Sequence, residues 1–394
     1  MAKLKSATKK DRIIEHEYDC YQYRAYPNDS QKVYLSQVFG CTRFLWNKYV
    51  GDERDFYQLM GTSLGNTPSD YKEDYPFLKE VDSLALCNVQ LDYQTAMSAF
   101  FAGTHGYPKF KKKGRCRDSY TTNVVNGNIV LDTNQGILKL PKLPGKFLKL
   151  VLHRLPENNL TLKKVTVSCE HDGSYYVSLC YEREVKTKPF VMDKEDIKLV
   201  GLDMSMKELF LSSDGEYGDY PRFYRRSEEK LAKEQRKLSR MVKDSKNYEK
   251  QKAKIARLHA HIKFQRKDFL HKLSTDLVNR YDVIVIEDLN MQAMSQGLHF
   301  GKSVHDNGWG MFVSMLEYKA RKAGKLIVKV DRWYPSSQTC SVCGYINKDV
   351  KSLSVREWYC PECGTYHDRD LNAAINIAAE GMRVLLTNNM DTAA

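Results

Sequence analysis

Residues 331–377 read DRWYPSSQTCSVCGYINKDVKSLSVREWYCPECGTYHDRDLNAAINI, and this run decides how the last third of the chain folds. Cys340 and Cys343 form one C-x-x-C, Cys360 and Cys363 a second, with sixteen residues between the pairs. That spacing belongs to a four-cysteine zinc site. Each short turn aims two thiolates at one ion, and two such turns complete a tetrahedron. Gly344 and Gly364 follow the pairs, where the turns call for φ > 0. Two disulfides or four buried thiols form the alternative, which paired knuckles at this spacing disfavour. The run continues into HDRDLNAAINI, in which acidic residues precede an Ala/Asn/Ile helix, with Asp368 or Asp370 near its start. A zinc ribbon that delivers a carboxylate to a helix start suggests a scaffold for chemistry.

Outward from this run, composition bounds the rest. The 394 residues are 42% hydrophobic, as in a globular protein long enough for two to four domains. The formal net charge is +13, with a pI of about 9.1. A protein this basic usually meets a polyanion, and nucleic acid leads. Six further cysteines (Cys20, Cys41, Cys87, Cys116, Cys169, Cys180) are scattered. That fits a reducing compartment with one metal site rather than a disulfide framework. No apolar run reaches about 18 residues, so no membrane span is expected. The opening MAKLKSATKKDR is charged with no apolar core behind it, unlike a secretory signal. These features predict a cytoplasmic or nucleoid-associated protein.

Residues 1–12 read as a basic tail, and Ile13–Tyr26 as a strand that Pro27 breaks. Asp29 or Ser30 would cap the helix that follows, and a mainly helical stretch continues to about Gly103. GYPKFKKKGRCRDSY then sets Lys109, Lys111, Lys112, Lys113, Arg115 and Arg117 around Tyr107 and Phe110. Basic residues interleaved with aromatics suit contact with a nucleic-acid backbone and bases. Strands are expected at 128–131, 136–140, 148–152, 162–169 and 174–181, forming an antiparallel sheet or small barrel into which the helical block is inserted. Residues 182–196 read as linker. A second α/β unit starts at Ile197: a buried strand ending in Asp203, a hairpin strand, and a Lys/Arg-rich helical pair from Arg225 to Arg280 broken near 244–247. It continues with a strand ending in Glu287, a helix from Met311 to Ala323, and a strand at Leu326–Val330.

Asp203, Glu287 and Asp368 or Asp370 thus share one context. The order strand, hairpin, helix, strand, helix, strand, helix is that of the RNase H-like fold, in which adjacent strand ends gather acids from distant sequence. Clustered carboxylates repel one another and need a cation, and oxygen-only sites suit Mg²⁺ or Mn²⁺. Two such ions support phosphodiester hydrolysis. Asp288 faces the other side of its strand.

VGLDMS, VIEDLNM, CSVCG…CPECG and DRDLNAAINI, in this order, resemble the motifs of the transposon-encoded TnpB (OrfB) family, relatives of the type V CRISPR nucleases. YRAYPNDSQKVYL…FGCTRFLWNKYV and GYPKFKKKG resemble that family's opening segments, so the resemblance spans nearly the whole chain. It implies an RNA-guided DNA endonuclease whose guide comes from the element's end, cutting double-stranded DNA beside a short motif. It implies catalytic, Mg²⁺-binding acids at Asp203, Glu287 and Asp370, the last because the family's acid directly precedes x-N-A-A. It also implies a wedge barrel (1–40 and 105–185) with an inserted helical recognition lobe (41–104), a linker (186–196), and a RuvC-type domain (197–335 and 367–386) interrupted by the zinc ribbon (336–366) and followed by a flexible tail (387–394). No catalytic position departs from the family pattern. A guided repressor that does not cut, and an RNase H-like transposase, are the rival expectations. A monomer is favoured, with no membrane partner.

Overall fold

Pro27 ends the first strand, β1 (Ile14–Tyr26), because it has no N–H for a ladder. The computed structural model describes residues 14–186, 197–205, 208–289, 306, 308–352 and 354–393, in two compact units divided between Thr187 and Lys188. The expected basic tail lies outside the described residues, as do the linker beyond Lys186 and most of the loop after Asn290.

In the first unit, Asn28 caps helix α1 (Asp29–Met60): its side chain accepts from the Gln31 amide at 2.9 Å, and Gln31 Oε1 accepts from the Asn28 amide at 3.1 Å. Neither Asp29 nor Ser30 is the cap, since this reciprocal box needs Gln three residues on; Asp29 pairs with Lys32 instead. The helix runs unbroken past residue 41, where a domain boundary was expected, and stops at Gly61 with φ +71°. Short α2 (Pro68–Asp74) leads to α3 (Ser83–Phe101). The strands β2 (Asp118–Asn123), β3 (Val130–Asp132), β4 (Ile137–Lys139), β5 (Phe147–Val151), β6 (Thr161–Cys169) and β7 (Tyr175–Lys186) join β1 in one antiparallel sheet, ordered β2-β6-β7-β1-β5-β4-β3. With β2 and β3 at opposite ends, it is an open half-barrel rather than a closed barrel. Sequence reading did not find β2. Its inward positions are Tyr120 and Thr122, and Thr122 is buried only because its hydroxyl meets Asp82.

The second unit is built on the sheet β11-β10-β8-β9. Here β8 (Leu199–Ser205), β10 (Val283–Glu287) and β11 (Leu326–Val330) run parallel, and β9 (Leu209–Ser212) is antiparallel to β8. The strands read as unbroken apolar runs because both faces are covered. Val200, Leu202, Ile284 and Ile286 pack with Leu270 and Leu277 of α5 (Lys246–Arg280) and Phe312 and Leu316 of α6 (Trp309–Ala323). Val283, Val285, Val328 and Val330 pack with Ile377 and Leu385 of α7 (Arg369–Ala393) on the other face. Before α5 comes α4 (Phe223–Ser239), and the two helices form the expected pair, sealed by Leu231, Ile255 and Ile262. Ser245 caps α5, accepting from the Tyr248 amide. The stretch from 387, expected as a flexible tail, continues α7 to Ala393. Among the described residues no helix is long and apolar enough to cross a membrane.

Candidate metal centre and carboxylate cluster

Strand alternation sets the carboxylate site. Leu202 pairs with Ile286, so Asp203 and Glu287 are each the next residue beyond a paired rung. Odd positions 201, 203, 283, 285 and 287 face α7, which puts both carboxylates beneath that helix. Two glycines let the helix come this close. A Cβ on Gly201 would overlap the Ala374 carbonyl oxygen and the Ala378 amide nitrogen, and one on Gly381 would overlap the Val285 side chain. Asp370 lies one turn before Ala374, so the seat at Gly201 sets the first turn of α7 over Asp203.

The electrostatics agree with this arrangement. Burial, then the charges of Glu287 and Asp370, push the Asp203 carboxyl well above its ordinary range, with Arg369 opposing. Burial also raises Glu287, against a hydrogen bond from Ser336 Oγ to Glu287 Oε1 at 2.9 Å. Asp370 faces the guanidinium of Arg356 loosely, at 3.4 Å. Asp368, the competing acid, caps α7: its Oδ1 accepts from the amides of Asp370 at 3.0 Å and Leu371 at 2.8 Å. Asp288 pairs with Arg332 at 3.0 Å, away from the cluster.

The four cysteines converge. Cys340 and Cys363 Sγ lie 3.6 Å apart, and Cys343 and Cys360 Sγ 3.5 Å apart. All four lie within 4.8 Å of one another, the only such group of Cys, His, Asp and Glu among the described residues. A tetrahedron of Zn–S bonds of about 2.3 Å has edges of about 3.8 Å, so the set fits zinc. The two knuckles repeat one backbone pattern. Cys340 and Cys360 amides donate to the carbonyls of Tyr345 and Thr365, both at 2.8 Å, and the Gly344 and Gly364 amides donate back. Both glycines have positive φ, +80° and +71°. Hydrogen bonds from Thr365 pull the Cys363 thiol down to about 6.

Several residues at this centre were not singled out from sequence. His367 Nε2 lies 3.1 Å from Cys340 Sγ, with its ring against Trp358. Asn372 Nδ2 donates to the Thr339 carbonyl at 2.7 Å, while its Oδ1 accepts from the Ser341 amide. Asn376 donates to the carbonyls of Ser336 and Thr339. The ribbon is therefore held to α7 by two buried amides one turn apart, and Ser336 passes that hold to Glu287. The i,i+4 asparagines of LNAAIN were the available signal, since paired Asn in a helix interior needs partners.

In the first unit the basic loop lies along α1. Trp46 Nε1 donates to the Lys109 carbonyl, and Asn47 brackets the Lys111 backbone from both sides. The Lys111 ammonium sits 3.7 Å over the Trp46 ring, and Arg117 is paired with Glu170. Lys109, Lys112, Lys113 and Arg115 are exposed and have no ion pair among the described residues.

Three family models match: a Cas12f1-like TNB domain over residues 309–377, a probable transposase over 178–297, and a helix-turn-helix domain over 19–61. In this chain the last segment is a strand followed by a single helix. A Streptomyces pristinaespiralis protein named "Putative RNA-guided DNA endonuclease" is 37% identical over 371 residues, 92% of this chain and 89% of that one. An Escherichia coli K12 protein named "Putative RNA-guided DNA endonuclease InsQ" is 29% identical, covering 94% of each. A cryo-EM structure of a Cas12f1–sgRNA–target DNA complex superposes with a TM-score of 0.55 over 93% of this chain and 99% of that one. At 11% identity that likeness is one of fold: a mixed α/β Cas12-like architecture. Similarity at 37% identity over nearly the full length of the Streptomyces protein, with the motifs in order, places this chain in the TnpB (OrfB) family of transposon-encoded proteins.

Proposed function

We propose that this chain is an RNA-guided DNA endonuclease of a transposable element, with its hydrolytic site at Asp203, Glu287 and Asp370. Placement on the α7 face of two adjacent parallel strands, beneath the first turn of that helix, is the observation that carries the reading. Burial, and after it the charges of Glu287 and Asp370, raise the Asp203 carboxyl, and an all-oxygen donor set fits Mg²⁺ or Mn²⁺. Divalent cations held there would supply an activated water and offset charge on the leaving 3′ oxygen. Ser336 fixes one Glu287 oxygen and leaves the other for a cation. Arg356 and Arg369 add positive charge beside an anionic phosphate. We assign 197–335 and 367–386 to a RuvC-type nuclease domain, and 336–366 to a ribbon holding one structural Zn²⁺. We assign the helices of the first unit to guide and target recognition, next to a wedge sheet that reads a short duplex motif. The site acts where the chromosome is, in the prokaryotic cytoplasm.

The test is isolation of the protein with its RNA, followed by plasmid cleavage with Mg²⁺ beside a gel shift. Asp203→Ala should bind RNA and guided target but not cut. An Asp203→Ala protein that cuts at the wild-type rate refutes the site; a protein without a defined RNA refutes guidance.

A further inference from the structure

The first unit holds a cavity of about 500 Å³ between the end of α1, the loop after it and the end of α3. That is the size of a small-ligand site. Its walls are aromatic: Tyr49 and Tyr93 are stacked at 5.4 Å with planes 15° apart, and Phe100 and Tyr107 meet edge to face at 5.4 Å. Gln90 and Gln94 bring amide groups to the same space. Phe101 stands on the rim, 72% exposed.

The surroundings narrow the ligand. Tyr107 belongs both to the cavity wall and to the start of the basic loop, so the exposed Lys109, Lys112 and Lys113 follow within a few residues. Arg54 also lines the cavity, 5.8 Å from the Phe110 ring of that loop and paired with its neighbour Asp55. Flat aromatic walls, amides able to read a polar edge, and cations beside the mouth match an unpaired nucleotide. RNA is read chiefly at loops and bulges whose bases splay out and stack on aromatic side chains. We infer that this cavity receives one unpaired base of the bound RNA, stacked on the aromatic wall and hydrogen-bonded by the exposed Gln94 amide, with its phosphate near the lysines. The inference rests on the guided reading above and adds to it a base-specific anchor outside the hydrolytic site.

The experiment uses the full chain reconstituted with its co-purified RNA, transcribed with 4-thiouridine. Irradiation and mass spectrometry should place a cross-link from one unpaired nucleotide in the 93–107 or 49–58 segment. Phe101→Ala, at an exposed position, should leave the thermal midpoint of the free protein unchanged and weaken RNA binding on the order of tenfold, as loss of one stacked base does. Gln94→Ala, also at an exposed position, should weaken binding without lowering that midpoint. Wild-type affinity in both variants with no cross-link there overturns the inference. A cross-link obtained only with thiothymidine-labelled target DNA overturns it too, assigning the cavity to the displaced strand. If no RNA binds at all, guidance itself fails, a result distinct from bound RNA that avoids the cavity.

Discussion

Two aspartates two residues apart carry different work. Asp368 holds the α7 N-terminus through two amides, and Asp370 faces the cluster. Asp368→Ala should cost about 1 kcal/mol, as lost helix caps do, and still cut. Asp370→Ala should keep its melting temperature and lose cleavage. Melting curves beside plasmid cleavage check both, and the reverse pattern would exchange the roles. Asp203 gives a second prediction. Its folded pKa lies above the ordinary 3.8, so the folded chain binds the extra proton. Without divalent cations, stability should fall as pH rises from that ordinary value through the raised one, and level off above it. Asp203→Asn removes the penalty and should raise the neutral-pH thermal midpoint in buffer without added Mg²⁺ or Mn²⁺. A lowered midpoint contradicts the charge argument. From sequence, Glu287 was legible as a strand end; Asp203, expected to end its strand, lies within β8, which runs on to Ser205 and pairs Asp203 with Leu211 of β9. The choice between Asp368 and Asp370 was not legible from periodicity, because both lie at one helix start, and capping is visible only in the hydrogen bonds.

At the scale of elements, α7 is the part on which the cluster depends, and Gly201 is its seat. Gly201→Ala should displace the helix and cost about 1–3 kcal/mol, as overpacking does, with a loss of cutting larger than the loss of RNA binding. Equal losses in the two assays would mean that the seat does not set the carboxylates. The ribbon gives another test. Cys360→Ser should lower the metal from about one zinc per chain and reduce the thermal midpoint, read by elemental analysis and calorimetry. Apolar runs made β8, β10 and β11 legible because both faces are covered. Gly201 was read as an ordinary strand residue, since nothing in VGLDMS says that a helix backbone crosses there. β2 escaped because its inward side chains, Tyr120 and Thr122, include a hydroxyl that becomes buried only beside Asp82.

For the whole molecule, charge was legible in amount but not in arrangement. The excess of cations predicts nucleic acid, whereas the structure separates pinned from free side chains within one loop. Lys111 lies on Trp46 and Arg117 on Glu170, while Lys112 and Lys113 are unpaired among the described residues. Lys112→Ala with Lys113→Ala should flatten the slope of log affinity against log salt by about 0.7–0.9 per lost phosphate contact. Lys111→Ala should change it less. Filter binding across salt concentrations measures both, and an unchanged slope in the double variant leaves the loop a solvated surface. The open half-barrel was equally beyond sequence, because strand runs do not reveal whether the end strands pair.

One junction bears on how such chains can vary in length. In the ribbon hairpin of β12 (Glu357–Tyr359) and β13 (Tyr366–Asp368), the second strand passes directly into α7 at Arg369, with no connecting loop. Six residues separate Cys363 from Asp370. One residue inserted there would turn every later helical position by about 100° and swing the carboxylate off the sheet. An insertion between Gly344 and Arg356 meets no such gearing and would extend a surface excursion. Length variation among natural chains of this kind should therefore collect between the two cysteine pairs, while the interval from Cys363 to Asp370 behaves as a fixed ruler.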